Sequence, residues 1–263
     1  MARVQVITYG IENKTSDFVA TKISQSIDGV FFSLFNRKKG DFKKYMIRML
    51  GDFNIYNAMI AIMIANILNI NDKHIHKTLK NVITPIGRME IMQKNPFVVI
   101  VDFAHNPFSL MTSLNNLITI KQSPFSKIIT VFGCPGLRDK SRRTMGKVSA
   151  ELSDITIITA DDPRTEKVED INNEIAIWAD KAGAKEIHIL IGSPEIHHPC
   201  YMGIDMKSEN EFIMNTFNPA ELAMEIGADS ITFLELDKLR DAIGKKGLCT
   251  ACWTGEYPKE LEW

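Results

Sequence analysis

The side chains with chemistry to offer gather at the ends of apolar runs. Asp102 and His105 close FVVIVDFAHNP, Arg138 closes KIITVFGCPGLRDK, and Asp161, Asp162 and Arg164 close DITIITADDPRTE. A fourth run, EIHILIGSPE, follows them. Such runs alternate with helical stretches, among them SLMTSLNNLI and TMGKVSAEL, which predicts a parallel, doubly wound sheet. Ligands of these sheets bind beyond the carboxyl ends of the strands, where all of those charged residues fall. A second set is sulfur: Cys200 and the C-x-x-C pair Cys249 and Cys252. Without a secretion signal, that spacing suggests metal or redox chemistry more than a disulfide framework. Each set also has a plainer reading. Asp102 and His105 would cap the next helix, Asp161 and Asp162 would form the turn before Pro163, and the run from Arg138 to Arg143 would be a solvated helix start. The three cysteines would be reduced thiols, and although His188, His197 and His198 invite a metal reading, the HHP run beside Cys200 would be a loop.

The elements that must position these groups change character along the chain. Residues 1–50 carry short apolar segments, VQVITYG and GVFFSLF, between polar turns, which reads as strand-rich. From Asn54, NIYNAMIAIMIANILNI is apolar on nearly every face and predicts a buried helix. DKHIHKTLKNV predicts a second helix, ended by Pro85 and Gly87. KEIHILIGSPE follows a helix expected around residues 168–182 and has the length and pattern to dock as the next parallel strand. Beyond about Trp178 the periodicity weakens, and the chain closes on LCTACWTGEYPKELEW. The 263 residues leave room for one large domain or two ordinary ones, and 45% hydrophobic with 24% charged residues is globular composition. A net charge of -1 gives no bias toward nucleic acid or acidic membranes. No apolar run reaches the length of a membrane span, and MARVQVITYGIENK is not a secretory signal. A cytoplasmic protein is the expectation.

Residues 1–175 resemble the C-terminal half of a Mur ligase. ITYGIEN, GVFFSLF, GDFNIYNAMIAI, IGRMEIM, VIVDFAHNPFSL, FGCPGLRDKSRR and ITADDPRTEKVEDI stand in that family's order. The pattern is most similar to members that add the third amino acid to UDP-N-acetylmuramoyl-dipeptide in peptidoglycan synthesis. In the family, ATP phosphorylates a substrate carboxylate and an amine attacks the acyl phosphate, which depends on positioning and on stabilising phosphate charge. The resemblance implies that Asn54 and Asn57 lie near the nucleotide base and Arg88 near the nucleotide. It puts Asp102 and His105 on the ribose and phosphate side. Arg138 and the box Asp161, Asp162, Pro163 and Arg164 would receive the incoming amino acid, an Arg gripping its carboxylate and an Asp its ammonium. DDPR stands where diaminopimelate-adding members typically have DNPR; Arg164 favours a distal carboxylate, while Asp162 leaves lysine open. GCPGLRD also departs from the commoner GCGGDRD.

The sequence contains no G-x-x-x-x-G-K-[ST] phosphate loop. The family's upstream metal-binding residues and UDP-sugar domain would precede residue 1, and its GKGHE-type segment does not appear beyond residue 180. ATP and Mg are therefore implied for the complete ligase, the UDP-sugar peptide only with that N-terminal part, and the isolated chain is expected to be inactive. From about residue 179 the sequence resembles the C-terminal end of glutamine amidophosphoribosyltransferase, on AGAKEIHILIGSPEIHHPCYMGID, EIGADSITFLELDKLRDAIG and CTACWTGEYP. In iron–sulfur members of that family the positions of Cys200, Cys249 and Cys252 ligate a [4Fe-4S] cluster. The fourth ligand lies in a part not present here, so no cluster is expected from this chain alone. The expected fold is α/β: a partial ATPase-domain remnant (1–86), a Rossmann-like parallel-sheet domain (87–178) and a short α/β tail (179–263). Three functional readings stand: a fragment of a diamino-acid-adding ligase, an amidophosphoribosyltransferase fragment of purine biosynthesis, or a non-catalytic fusion or truncation product joined near residues 175–182.

Overall fold

The structure, a computed structural model, describes residues 6–13, 15–121, 123–184, 186–201, 206, 208–244 and 247–257. The chain divides into two compact units. One holds residues through Ala104 together with Thr112–Ser126; the other holds His105–Met111 and the residues from Lys127 onward.

In the first unit, β1 (Tyr9–Ile11), β2 (Phe18–Ser26), β3 (Gly29–Asn36) and β4 (Asp41–Ile47) form a sheet in that order, parallel between β1 and β2 and antiparallel after it. Alternation along β3 puts Val30, Phe32 and Leu34 on the buried face and leaves Phe31 exposed. Against that face pack α1 (Phe53–Ile67), through Ile55, Met59 and Ile62, and α2 (Asp72–Lys80), through Ile75. Asn71 starts α2 by accepting from the Lys73 amide, with Asp72 in the first turn and Lys77 and Lys80 in the last, as the helix dipole favours. The expectation of a wholly buried α1 does not hold. Tyr56, Ile60, Ile64 and Ile67 form an exposed stripe at helical spacing, because the unit lays only one layer of sheet against the helix. Next come β5 (Glu90–Gln93) and β6 (Val99–Val101), an antiparallel pair. β6 is the run expected to lead the parallel sheet; its hydrogen bonds go to β5 instead. The helix α3 (Pro107–Ile120) follows.

The second unit is built on β7 (Ile129–Phe132), β8 (Ile155–Ile158), β9 (His188–Ile191) and β10 (Ser230–Phe233). These pair in the order β10-β9-β8-β7, every pair parallel. Between them run α4 (Met145–Leu152), α5 (Val168–Lys181) and α6 (Pro219–Ile226); α7 (Leu236–Ile243) and α8 (Ala251–Thr254) follow. Phe132, Ile158, Ile189 and Ile231 fill the buried face of the sheet, while Ile129, Val131 and Leu190 point to the other. The expected docking of KEIHILIGSPE is met: β9 lies beside β8 with Ile157 opposite His188 and Ile158 opposite Ile189. The tail then adds β10 by the same β-α-β logic. Its helix α6 starts on a capping box between Asn218 and Glu221 with Pro219 in the first turn, and it ends on a left-handed Gly227. The weak periodicity of the tail thus conceals a regular strand, because four residues are too few to show a period. No helix of the described residues is long and apolar enough to cross a membrane.

Candidate functional site

The second unit brings two of the sequence motifs together at the carboxyl ends of β7 and β8. GCPGLRD leaves β7 and DDPR leaves β8. The Gly136 amide donates to the Asp162 carbonyl at 2.8 Å, and the Thr159 amide donates to the Phe132 carbonyl at 2.9 Å. Both glycines of GCPG are required by this approach. A Cβ on Gly133 would stand 2.4 Å from the Thr159 carbonyl oxygen, and one on Gly136 would stand 1.9 Å from that of Pro163. Leu137 and Arg164 take left-handed backbone conformations, with φ of 51° and 53°, which a side-chain-bearing residue adopts only where its surroundings compel it. The result is a loop pair whose charged groups face solvent: Arg138, Asp161, Asp162 and Arg164 are exposed and Pro163 is half-buried. Arg164 rests in a loose ion pair with Asp162 at 3.5 Å. Two cations and two carboxylates at one edge can receive a zwitterion.

The residue that holds the loops was not singled out by its type. Arg143, expected on a solvated helix start, is 1% exposed. Its guanidinium pairs with Glu166 at 2.7 Å and with Glu174 of α5 at 2.6 Å. Glu166 also accepts from the Leu137 amide at 2.9 Å, so one carboxylate joins the loop after β7 to the loop after β8. Spacing from Arg143 to Glu174, i and i+31, gives no periodic signal. The hydrogen bond from Arg143, then that from the Leu137 amide, holds the Glu166 carboxyl below its ordinary range. A depressed carboxylate contributes stability above its unfolded pKa, about 4.3, and that contribution is lost as pH falls through the lower folded value. The urea midpoint of the chain is therefore expected to fall more steeply below about pH 4 than that of Glu166→Gln. Parallel profiles would show that Glu166 carries no such linkage.

The nucleotide-facing candidates of the first unit are differently disposed. Asn54 is 3% exposed and is consumed structurally: its amide donates to the Leu50 carbonyl at 2.7 Å and accepts from Asn57 at 3.0 Å. Asn57 is exposed. Arg88 lies over the Phe103 ring, 4.4 Å from its centroid. Asp102 accepts from the Met89 amide at 3.0 Å and from the Ser113 hydroxyl, which fixes the turn that carries Arg88. In the second unit, His105 is exposed and precedes Asn106, whose side chain accepts from the Ser109 amide at 2.9 Å. The cap of α3 is thus Asn106, and the plainer reading of Asp102 and His105 as its cap is replaced.

The tail cysteines are all free thiols; Cys249 is exposed, while Cys200 and Cys252 are half-buried. Burial, and then the neighbouring Cys200, raises the Cys252 thiol above its ordinary range. Among the described residues no group of three or more His, Cys, Asp or Glu side chains is arranged to hold a metal ion. Cys134 is buried in the ligase-like half, and that burial pushes its thiol up to about 11.

The first two thirds of the chain match known proteins closely. The Mur ligase middle domain matches residues 1–65, and the Mur ligase glutamate ligase domain matches residues 87–195. Those two stretches belong to the Mur ligase family. It is 41% identical over 177 residues to UDP-N-acetylmuramoyl-L-alanyl-D-glutamate--2,6-diaminopimelate ligase of Clostridium perfringens, covering 66% of this chain and 35% of that one. It is 32% identical over 251 residues to the protein of the same name from Fusobacterium nucleatum, covering 92% and 47%. The chain thus spans less than half the length of these Mur ligases. It is also 52% identical over 81 residues to the amidophosphoribosyltransferase of Methanocaldococcus jannaschii, covering 31% of this chain and 17% of that one. Among solved structures, UDP-N-acetylmuramate-alanine ligase from Thermotoga maritima superposes with a TM-score of 0.58 at 20% identity, covering 72% of this chain and 40% of that one. That likeness concerns the fold. The Mur ligase match ends at residue 195, beyond β9, so the strand that begins the tail's resemblance also lies within the ligase domain.

Proposed function

We propose that this chain supplies the amino-acid-receiving face, and part of the nucleotide-binding face, of an ATP-dependent ligase that adds a diamino acid to UDP-N-acetylmuramoyl-dipeptide. The observation that carries the reading is the docking of GCPGLRD onto DDPR, with Arg138 and Arg164 both left open to solvent. The names of its Mur ligase relatives support the substrate class. Arg164 and Arg138 grip the carboxylates of the diamino acid, and Asp161 and Asp162 hold an ammonium, which orients the other amine for attack. The resemblance assigns contact with the nucleotide to Asn57, Arg88 and Asp102 in the first unit, where Asn54 braces Asn57, and to His105 in the second. ATP with magnesium, when bound, supplies the phosphoryl group that activates the substrate carboxylate. The domains are read as 1–86, 87–178 and 179–263, and the last serves as the edge of the ligase sheet.

Calorimetric titration of the full chain with meso-diaminopimelate and with L-lysine tests this. Losing a charge-assisted hydrogen bond at Arg164 costs about 1.5–3 kcal/mol. Arg164→Ala is therefore expected to weaken diaminopimelate binding by about 10- to 100-fold and to leave lysine binding nearly unchanged. Failure of both amino acids to bind the unmodified chain, or equal losses for the two, would sink the assignment.

A further inference from the structure

The two arginines of the candidate site sit on or beside strained backbone. Arg164 lies inside a turn that the Glu166 amide closes onto the Pro163 carbonyl at 3.0 Å, and its φ is 53°. Arg138 follows Leu137, whose φ is 51°. Residues with a Cβ leave that left-handed region unless neighbouring groups hold them there. One side chain serves both loops. The Glu166 Oε2 accepts from the Leu137 amide at 2.9 Å, while its Oε1 accepts from Arg143 at 2.7 Å. The carboxylate therefore ties the turn of Arg164 to the residue before Arg138.

Other contacts between the loops hold their acidic end. A Cβ on Gly133 would stand 2.9 Å from the Asp161 amide nitrogen, and the Gly136 amide donates to the Asp162 carbonyl. Glu166 holds the basic end, from Leu137 to Arg164. Its side chain is 15% exposed and both of its oxygens are engaged, so it acts through the arginines and not on a ligand. That division separates two kinds of ligand. A diamino acid with a carboxylate at each end needs Arg138 and Arg164 at one spacing, because each charged grip has a narrow geometry. Lysine has one carboxylate and needs one arginine with the acidic end.

We propose that Glu166 is a positioning residue that fixes the spacing of Arg138 from Arg164, and thereby selects a diamino acid with two carboxylates over one with a single carboxylate. This role rests on the reading of the two loops as the amino-acid site. In calorimetric titrations of the full chain, Glu166→Ala is expected to weaken meso-diaminopimelate about tenfold and L-lysine less than about threefold, since a second charged grip is lost only for the former. The triple variant Arg143→Met, Glu166→Gln, Glu174→Gln keeps an uncharged acceptor for the Leu137 amide and should retain the preference of the unmodified chain. Hydrogen exchange reads the same contact without a ligand. In Glu166→Ala the Leu137 amide should exchange about five- to tenfold faster, the worth of one net hydrogen bond, and the Gly136 amide less than about twofold faster. Equal losses for the two amino acids in Glu166→Ala, or unchanged exchange at Leu137, overturn the proposal and leave the amino-acid site standing. Loss of the preference in the triple variant also overturns it, because charge and not the hydrogen bond would then set the spacing. Absence of binding to the unmodified chain overturns the site itself and this role with it.

Discussion

Arg143→Met is expected to lower the stability of the chain by about 3 kcal/mol, the lower end of what removing one partner from a buried pair costs. The side chain is 2% exposed, and its loss strands Glu166 at 15% exposure beside the Leu137 amide. The figure is placed low because Glu174, at 40% exposure, can rehydrate. Lys140, 3.0 Å from Glu174, also remains to screen it. The cost comes from the uncompensated carboxylates rather than from lost attraction. The triple variant Arg143→Met, Glu166→Gln, Glu174→Gln should accordingly recover most of the loss, since a neutral amide at position 166 still accepts from Leu137. Urea denaturation of the two variants checks this. If the triple variant is no more stable than the single one, packing of the guanidinium, and not charge, holds the loops.

Gly136→Ala is expected to cost about 1–3 kcal/mol, as overpacking does, and to separate the two loops of the candidate site. The added methyl would stand 1.9 Å from the Pro163 carbonyl oxygen and 2.7 Å from its carbon. Those are backbone atoms, which cannot rotate away as a flexible side chain would. Relief requires the loop to move, and movement breaks the hydrogen bond from the Gly136 amide to the Asp162 carbonyl that joins the loop of Arg138 to the DDPR box. Loss of diaminopimelate binding should therefore exceed what the stability change alone predicts. Gly192→Ala is the control: a Cβ there meets nothing within 4 Å, and its stability should change by less than about 0.5 kcal/mol. Thermal unfolding and calorimetric titration of both variants distinguish a site effect from general destabilisation. Equal behaviour of the two variants would remove the close approach of the loops as the reason for glycine at position 136.

The sequence by itself determined the elements whose signals are local. Alternating apolar runs marked β7, β8 and β9, and a helix was expected around residues 168–182 where α5 spans Val168–Lys181. The Gly-rich and DDPR motifs marked both loops of the site, because motif residues are close in the chain. What it did not determine depends on groups distant in sequence. Arg143 read as one charge among several, and only the packing of α5 showed that Glu166 and Glu174 enclose it. α1 read as buried because its composition is apolar all round; which face is covered depends on how many layers the fold supplies. The pairing of β6 with β5 was likewise decided by hydrogen-bond partners and not by the apolar character of its own residues. Asn54 and Asn57 look equivalent as letters, yet one is consumed by the Leu50 carbonyl and the other faces solvent. Local sequence sets propensity and turn chemistry, whereas burial and charge pairing belong to surfaces that exist only after distant segments meet.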